Sequence, residues 1–287
     1  MKTNSSKLTL IQASVLAVSL IITLPLRLWQ YSYIEPHTGF WKEINTSIIA
    51  FYAIGAAAIL FFIFSSFFAR KSLAFEGSAM KLVGPGILSF TCAVSILFSV
   101  YGDLSSMNID STPYVVSPTT SFHGIFYVQQ LFAVLSALYF LLLGVSFVSG
   151  KSSGERYKLL SLTPVIWCVI KLVLRFARTI SYVRVSDLML EMLALAAYAS
   201  FFMAFAQVNS KVEGKGNEWK LLAAGMPAAL LGLICFIPRA VITFMGNSDL
   251  IFILSRADVS DFCIALFIIG NVLLRIIPAN RNEKVTE

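Results

Sequence analysis

Residues 159–178 read LLSLTPVIWCVIKLVLRFAR, an apolar run that carries Lys171, Arg175 and Arg178. About 20 apolar residues are needed to span the ~30 Å hydrocarbon core of a bilayer, and this stretch has that length. The three cations recur at i, i+4 and i+7, which places them on one face of a helix. The next apolar run carries Glu191. A Lys, Arg or Asp at the centre of a membrane helix costs roughly 2.5–3.5 kcal/mol by insertion measurements, so such residues are expected to face a partner, a cavity or a ligand.

The rest of the chain has the same character. It has 287 residues, 57% hydrophobic and 13% charged, with a mean hydropathy of +0.80. Soluble domains carry about 25% charged residues, so this is a membrane composition. The pattern predicts an all-α, polytopic integral membrane protein, a bundle of eight helices over 8–29, 46–68, 82–101, 122–148, 159–180, 187–208, 219–245 and 259–278. No connection is long enough for a soluble module, so 1–287 is read as a single transmembrane domain. The first run resembles a signal peptide in having Lys2 and Lys7 ahead of it, but it continues into Pro25 and Arg27 without a small-x-small cleavage site. It is read as a retained helix.

Orientation follows from the Lys and Arg of the connections. Thirteen fall on the side of the amino terminus: Lys2, Lys7, Arg70, Lys71, Lys81, Lys151, Arg156, Lys158, Lys211, Lys215, Lys220, Arg281 and Lys284. Three, Lys42, Arg184 and Arg256, fall on the other. Both termini are therefore expected in the cytoplasm, in a plasma membrane. The net charge of +7 then reflects orientation and attraction to anionic membrane lipids. The basic residues are dispersed over short loops with no aromatic-rich module, which argues against a nucleic-acid partner. No protein partner is indicated.

Three hairpins look alike, each with a basic, Gly-containing loop and a following helix that has Pro85, Pro164 or Pro227 in its first turns. Duplication is one explanation; recurrence of interfacial charge and first-turn proline in any bundle is the other. Small residues (Ala53, Gly55 and Ala56 to Ala58; Ala194, Ala196, Ala197, Ala199, Ala204 and Ala206) permit close backbone approach, so the second and sixth helices are expected inside the bundle. Pro238 removes a backbone bond and predicts a kink just before Arg239. The polar stretch over 102–121 reads as a connector or a lid.

Depth along each span puts Arg27, Lys171, Arg175, Arg178 and Arg239 towards the outer surface, together with Asp187, Glu191 and Asp261. Arg175 and Glu191 fall at one level and are expected to pair. Five cations against three acids leave two positive charges over, and an uncompensated charge away from water costs several kcal/mol. Arginine binds phosphate or carboxylate through its fork. The surplus therefore predicts an outward-facing pocket for an anionic small molecule or lipid headgroup, in transport or sensing. Lys171, Arg175, Arg178 and Arg239 would be its contacts, Glu191 would orient Arg175 or respond to protonation, coupling the site to protons or ions, and Gln129, Gln130 and Tyr198 would donate hydrogen bonds. The competing reading is structural pairing, with Arg27, Arg178 and Asp261 reaching water along their own stems.

No zinc, nucleophile-elbow or phosphate-loop motif is present, and no metal or cofactor is called for. His37 and His123 both fall on the outer side. His123 as a base acting on a lipid-linked substrate would make a membrane-embedded enzyme, and an accessory subunit with lipid-facing charges is a further alternative. Cys92, Cys168, Cys235 and Cys263 fall singly in separate spans and read as packing residues.

Overall fold

Each of the eight expected spans holds an α-helix. The computed structural model describes residues 3–34, 41–43, 45–70, 83–107, 123–150, 157–177, 185–210, 218–246 and 258–281. Among these residues the α-helices are α1 (Thr3–Tyr31), α2 (Thr46–Phe68), α3 (Val83–Met107), α4 (His123–Ser149), α5 (Thr163–Ala177), α6 (Val185–Ser210), α7 (Glu218–Met245) and α8 (Val259–Arg281). Six of them, all but α5 and α8, are long and apolar enough to cross a membrane, and α8 contributes a shorter apolar stretch, Val259–Leu273. A 3-10 turn, Leu160–Leu162, leads into α5. Among the described residues the one β-type pairing is an isolated bridge, Ile34 to Trp41. This is the build of a helical membrane bundle.

The centre is formed by α7 and α8. Helix α7 packs against α1, α2, α6 and α8, while α8 packs against α1, α3 and α7. Contacts of α3 with α4, α4 with α5, and α5 with α6 close the other side. Lipid is as apolar as the core, so association relies on close packing rather than on escape from water. Phe267 of α8 meets Phe140 of α4 edge-on at 5.2 Å and Phe205 of α6 at 5.6 Å, and Phe140 also meets Phe202 at 5.7 Å. Such edge-to-face contacts suit the aromatic quadrupole. At the α3–α4 crossing, a Cβ on Gly144 would sit 3.2 Å from the carbonyl oxygen of Gly86, so the lack of a side chain lets the backbones touch. Helix α7 runs unbroken through Pro227 and Pro238.

Two expectations from small residues divide. Helix α6 buries Ala194, Ala204 and Ala206, as anticipated. Helix α2 does not lie inside: Ala53, Ala56 and Ala57 are exposed, and of the group Ala53, Gly55 and Ala56 to Ala58 only Ala58 is buried. Its inward face is Ile48, Phe51, Ala58, Phe62 and Ser66, spaced i, i+3, i+10, i+14 and i+18. That mixed stripe, not Ala53, Ala56 and Ala57 beside it, faces the neighbours α1 and α7. The hairpins also differ. Helices α4 and α5 pack together, as do α6 and α7, whereas α2 packs on α1 and α7 and α3 packs on α4 and α8.

Away from the charged end, Gln12 of α1 is fully buried. Its amide donates to Ser65 Oγ at 2.8 Å and Ser66 Oγ at 2.9 Å on α2. Hydrogen bonds of this kind join membrane helices. Cys92, Cys168 and Cys235 are buried as free thiols.

Candidate functional site

Charge gathers at the end of the bundle where α1, α5 and α7 finish and α6 and α8 begin. Backbone dipoles favour this arrangement, since helix N-termini stabilise acids and C-termini stabilise cations. Asp187 and Asp261 lie in the first turns of α6 and α8, and Arg175 lies in the last turn of α5. Asp258 caps α8, its Oδ1 accepting the Ser260 backbone N–H at 3.0 Å.

Three guanidiniums and two carboxylates form the first group. Asp187 and Glu191 stand one turn apart on α6 and so share a face. Arg239 Nη2 lies 2.8 Å from Asp187 Oδ2 and 3.3 Å from Glu191 Oε2. Arg27 Nη2 lies 3.3 Å from Asp187 Oδ1, and Arg175 Nε lies 2.8 Å from Glu191 Oε1. The expected Arg175–Glu191 pair is therefore present. Tyr31 donates its hydroxyl to Asp187 Oδ1 at 3.4 Å. The Arg27 guanidinium lies over the Tyr31 ring, 4.8 Å from its centroid, and donates from Nη1 to Gln30 Oε1 at 3.1 Å.

One ammonium and two carboxylates form the second group, a helical turn away along α5. Lys171 Nζ lies 2.9 Å from Asp258 Oδ2 and 3.6 Å from Asp261 Oδ1. Ser99 of α3 donates its hydroxyl to Asp258 Oδ2 at 3.1 Å. Lys171 also sits 5.3 Å from the Trp167 ring centroid.

The charge count changes accordingly. Asp258 precedes the apolar run of α8 and was absent from the sequence count, and Arg178 lies outside the described residues. Among the described residues of the two groups, Arg27, Lys171, Arg175 and Arg239 face Asp187, Glu191, Asp258 and Asp261, and the totals match. Their distribution does not. The arginine group holds one positive charge too many and the lysine group one negative charge too many. Two atoms carry the imbalance: Arg239 Nε and Asp261 Oδ1 are both buried without a hydrogen-bond partner. Nor do Arg27 and Asp261 reach water along their stems, since both are buried.

Two of the remaining expected donors are engaged elsewhere. Tyr198 is buried and donates its one phenolic proton to the Asp261 backbone carbonyl at 3.0 Å, so that proton is not offered to a ligand. Gln130 donates to Asp103 on α3 at 3.0 Å, one turn from Ser99 and on the lysine side of the cluster. Gln129 is buried on α4. His37 and the His123 side chain lie outside the described residues, and the expectation of a histidine base with them. Gln30 and Tyr31, which brace Arg27 and Asp187, were not anticipated. Both follow Arg27 within one turn of α1, and that spacing was the available signal.

Gly232 of α7 leaves room for the Tyr198 hydroxyl, which a Cβ there would overlap. Gly232→Ala should therefore push Tyr198 off the Asp261 carbonyl and cost about 1–3 kcal/mol, the usual range for overpacking a tight interior. Unfolding in mixed micelles measures this, and a variant as stable as the parent would show that Tyr198 moves aside freely.

Comparison of the chain with protein-family models, with curated proteins and with solved structures gives no match.

Proposed function

We propose that this protein is a multi-pass membrane protein whose arginine group, Arg27, Arg175 and Arg239, binds an anionic small molecule or lipid headgroup in transport or sensing. The observation that carries this reading is the pairing of three guanidiniums with two carboxylates, with Arg239 Nε buried and unpartnered. Arginine forks suit phosphate and carboxylate oxygens, and one anionic charge would balance the group. Arg175 is the natural point of contact because its side chain is 28% exposed while Arg239 is 2% exposed. Eight spans with both termini in the cytoplasm of a plasma membrane, as the distribution of Lys and Arg in the connections supports, would turn this end outward. An accessory subunit joined to a partner through lipid-facing charges fits less well, because Arg27, Lys171, Asp187, Glu191 and Arg239 are all buried within the chain itself.

Thermal unfolding in a mild non-ionic detergent tests the site, with inorganic phosphate in one arm and phosphatidylglycerol in the other. The parent is expected to gain Tm with one of them, and Arg175→Gln to lose that gain while keeping its own basal Tm. A gain that persists in Arg175→Gln removes this residue as a ligand contact. The responding arm separates a free anion from a lipid.

A further inference from the structure

We infer that Asp261 is a proton-binding site, the protonatable partner of the lysine group. One ammonium serves two carboxylates here, and they are not equivalent. Asp258 has the close contact to Lys171 at 2.9 Å, the Ser99 hydroxyl at 3.1 Å and the Ser260 N–H at 3.0 Å. Among the described residues Asp261 has the same ammonium as its nearest cation, at 3.6 Å and beyond hydrogen-bond reach, and its Oδ1 is buried with no donor. A buried carboxylate oxygen without a donor is among the costliest groups a protein can hold. A proton removes that cost and leaves the lysine group neutral.

A metal cation suits the position less well. Such ions require several oxygen ligands, whereas the Asp261 carbonyl already accepts from Tyr198 and the Lys171 ammonium faces the carboxylate. The charged and titratable groups around Asp261 are Lys171 and Cys168 on α5, Glu191 and Tyr198 on α6, Arg239 and Cys235 on α7, and Asp258 at the start of α8. Helix α3 contributes Ser99 through Asp258, and Arg27 of α1 is engaged with Asp187.

The proton site stands by itself. Its consequence for binding rests on the proposed anion site. Protonating Asp261 removes one negative charge from a cluster in which Lys171 and Arg175 are one turn apart, so a proton and an anion should favour each other. By linkage each raises the other's affinity by the same factor. Anion binding is expected to tighten about 5-fold or more on moving from alkaline to acidic pH, the lower range of typical coupling.

The test uses the full chain in lipid, in a zwitterionic buffer without added anion, so that it does not depend on the arginine group. Infrared difference spectra between about pH 6 and pH 9, both above the range in which ordinary carboxylates titrate, with carboxyl-13C aspartate incorporated, should show a protonated-carboxyl band that carries the isotope shift. Asp261→Asn, which mimics the protonated acid, should fold and lose the band, and Asp258→Asn, which leaves Lys171 to Asp261 alone, should weaken it and move its onset to lower pH. Asp261→Glu, should the Asn variant not fold, must move the band to an unlabelled carboxyl. A labelled band that survives loss of Asp261, one that is unchanged in Asp258→Asn, or no such band overturns the inference.

Discussion

Asp187→Asn is expected to be the most damaging single substitution at the charged end, costing about 3–5 kcal/mol, the range for breaking a buried ion pair by removing one partner. Its carboxylate holds both Arg27, at 3.3 Å, and Arg239, at 2.8 Å. The amide that replaces it keeps the shape but not the charge. Three guanidiniums would then face Glu191 alone, and Arg27 would have no carboxylate among the contacts described. Arg239→Met should be milder, because two guanidiniums then face two carboxylates and each acid keeps one partner. Adding Arg27→Met to Asp187→Asn should restore part of the loss. Unfolding free energies from mixed-micelle titrations of the three variants provide the comparison. Equal costs for Asp187→Asn and Arg239→Met would remove the positive surplus from the account.

Lys171→Met is expected to have the second largest effect, also about 3–5 kcal/mol. Its ammonium is the only cation within 4.0 Å of Asp258 and Asp261 among the described residues, and the Ser99 hydroxyl cannot replace its charge. The double variant Lys171→Met/Asp258→Asn should recover much of the loss, since no carboxylate that relied on the close contact remains. A single variant as stable as the parent would mean that Asp258 turns to solvent at little cost.

The helices were legible because apolar runs of membrane length leave few alternatives, and all eight positions coincide with helices in the structure. The Arg175–Glu191 pair was legible as well, since reflecting two helices about a short turn fixes which residues share a level. The partners of Arg239 were not. They depend on α7 packing beside α6, with α1 on its other flank, and no local pattern encodes which helices become neighbours. Asp258 was overlooked because it sits one residue ahead of the apolar run and reads as loop, although Asp258-Val259-Ser260-Asp261 is the pattern of an acidic helix start. Small residues identified α6 as interior but misplaced α2. A side chain small enough for close packing does not require a neighbour, and the face of α2 that turns inward, Ile48, Phe51, Ala58, Phe62 and Ser66, mixes sizes.

The central claim is that the arginine group is one anion short. Native mass spectrometry of the intact chain, released from a mild detergent, tests this most directly. The parent is expected to carry a bound anionic species that is absent from Arg175→Gln prepared in the same way. A parent that appears only as the bare chain, with a spectrum matching that of Arg175→Gln apart from the substitution, would contradict it.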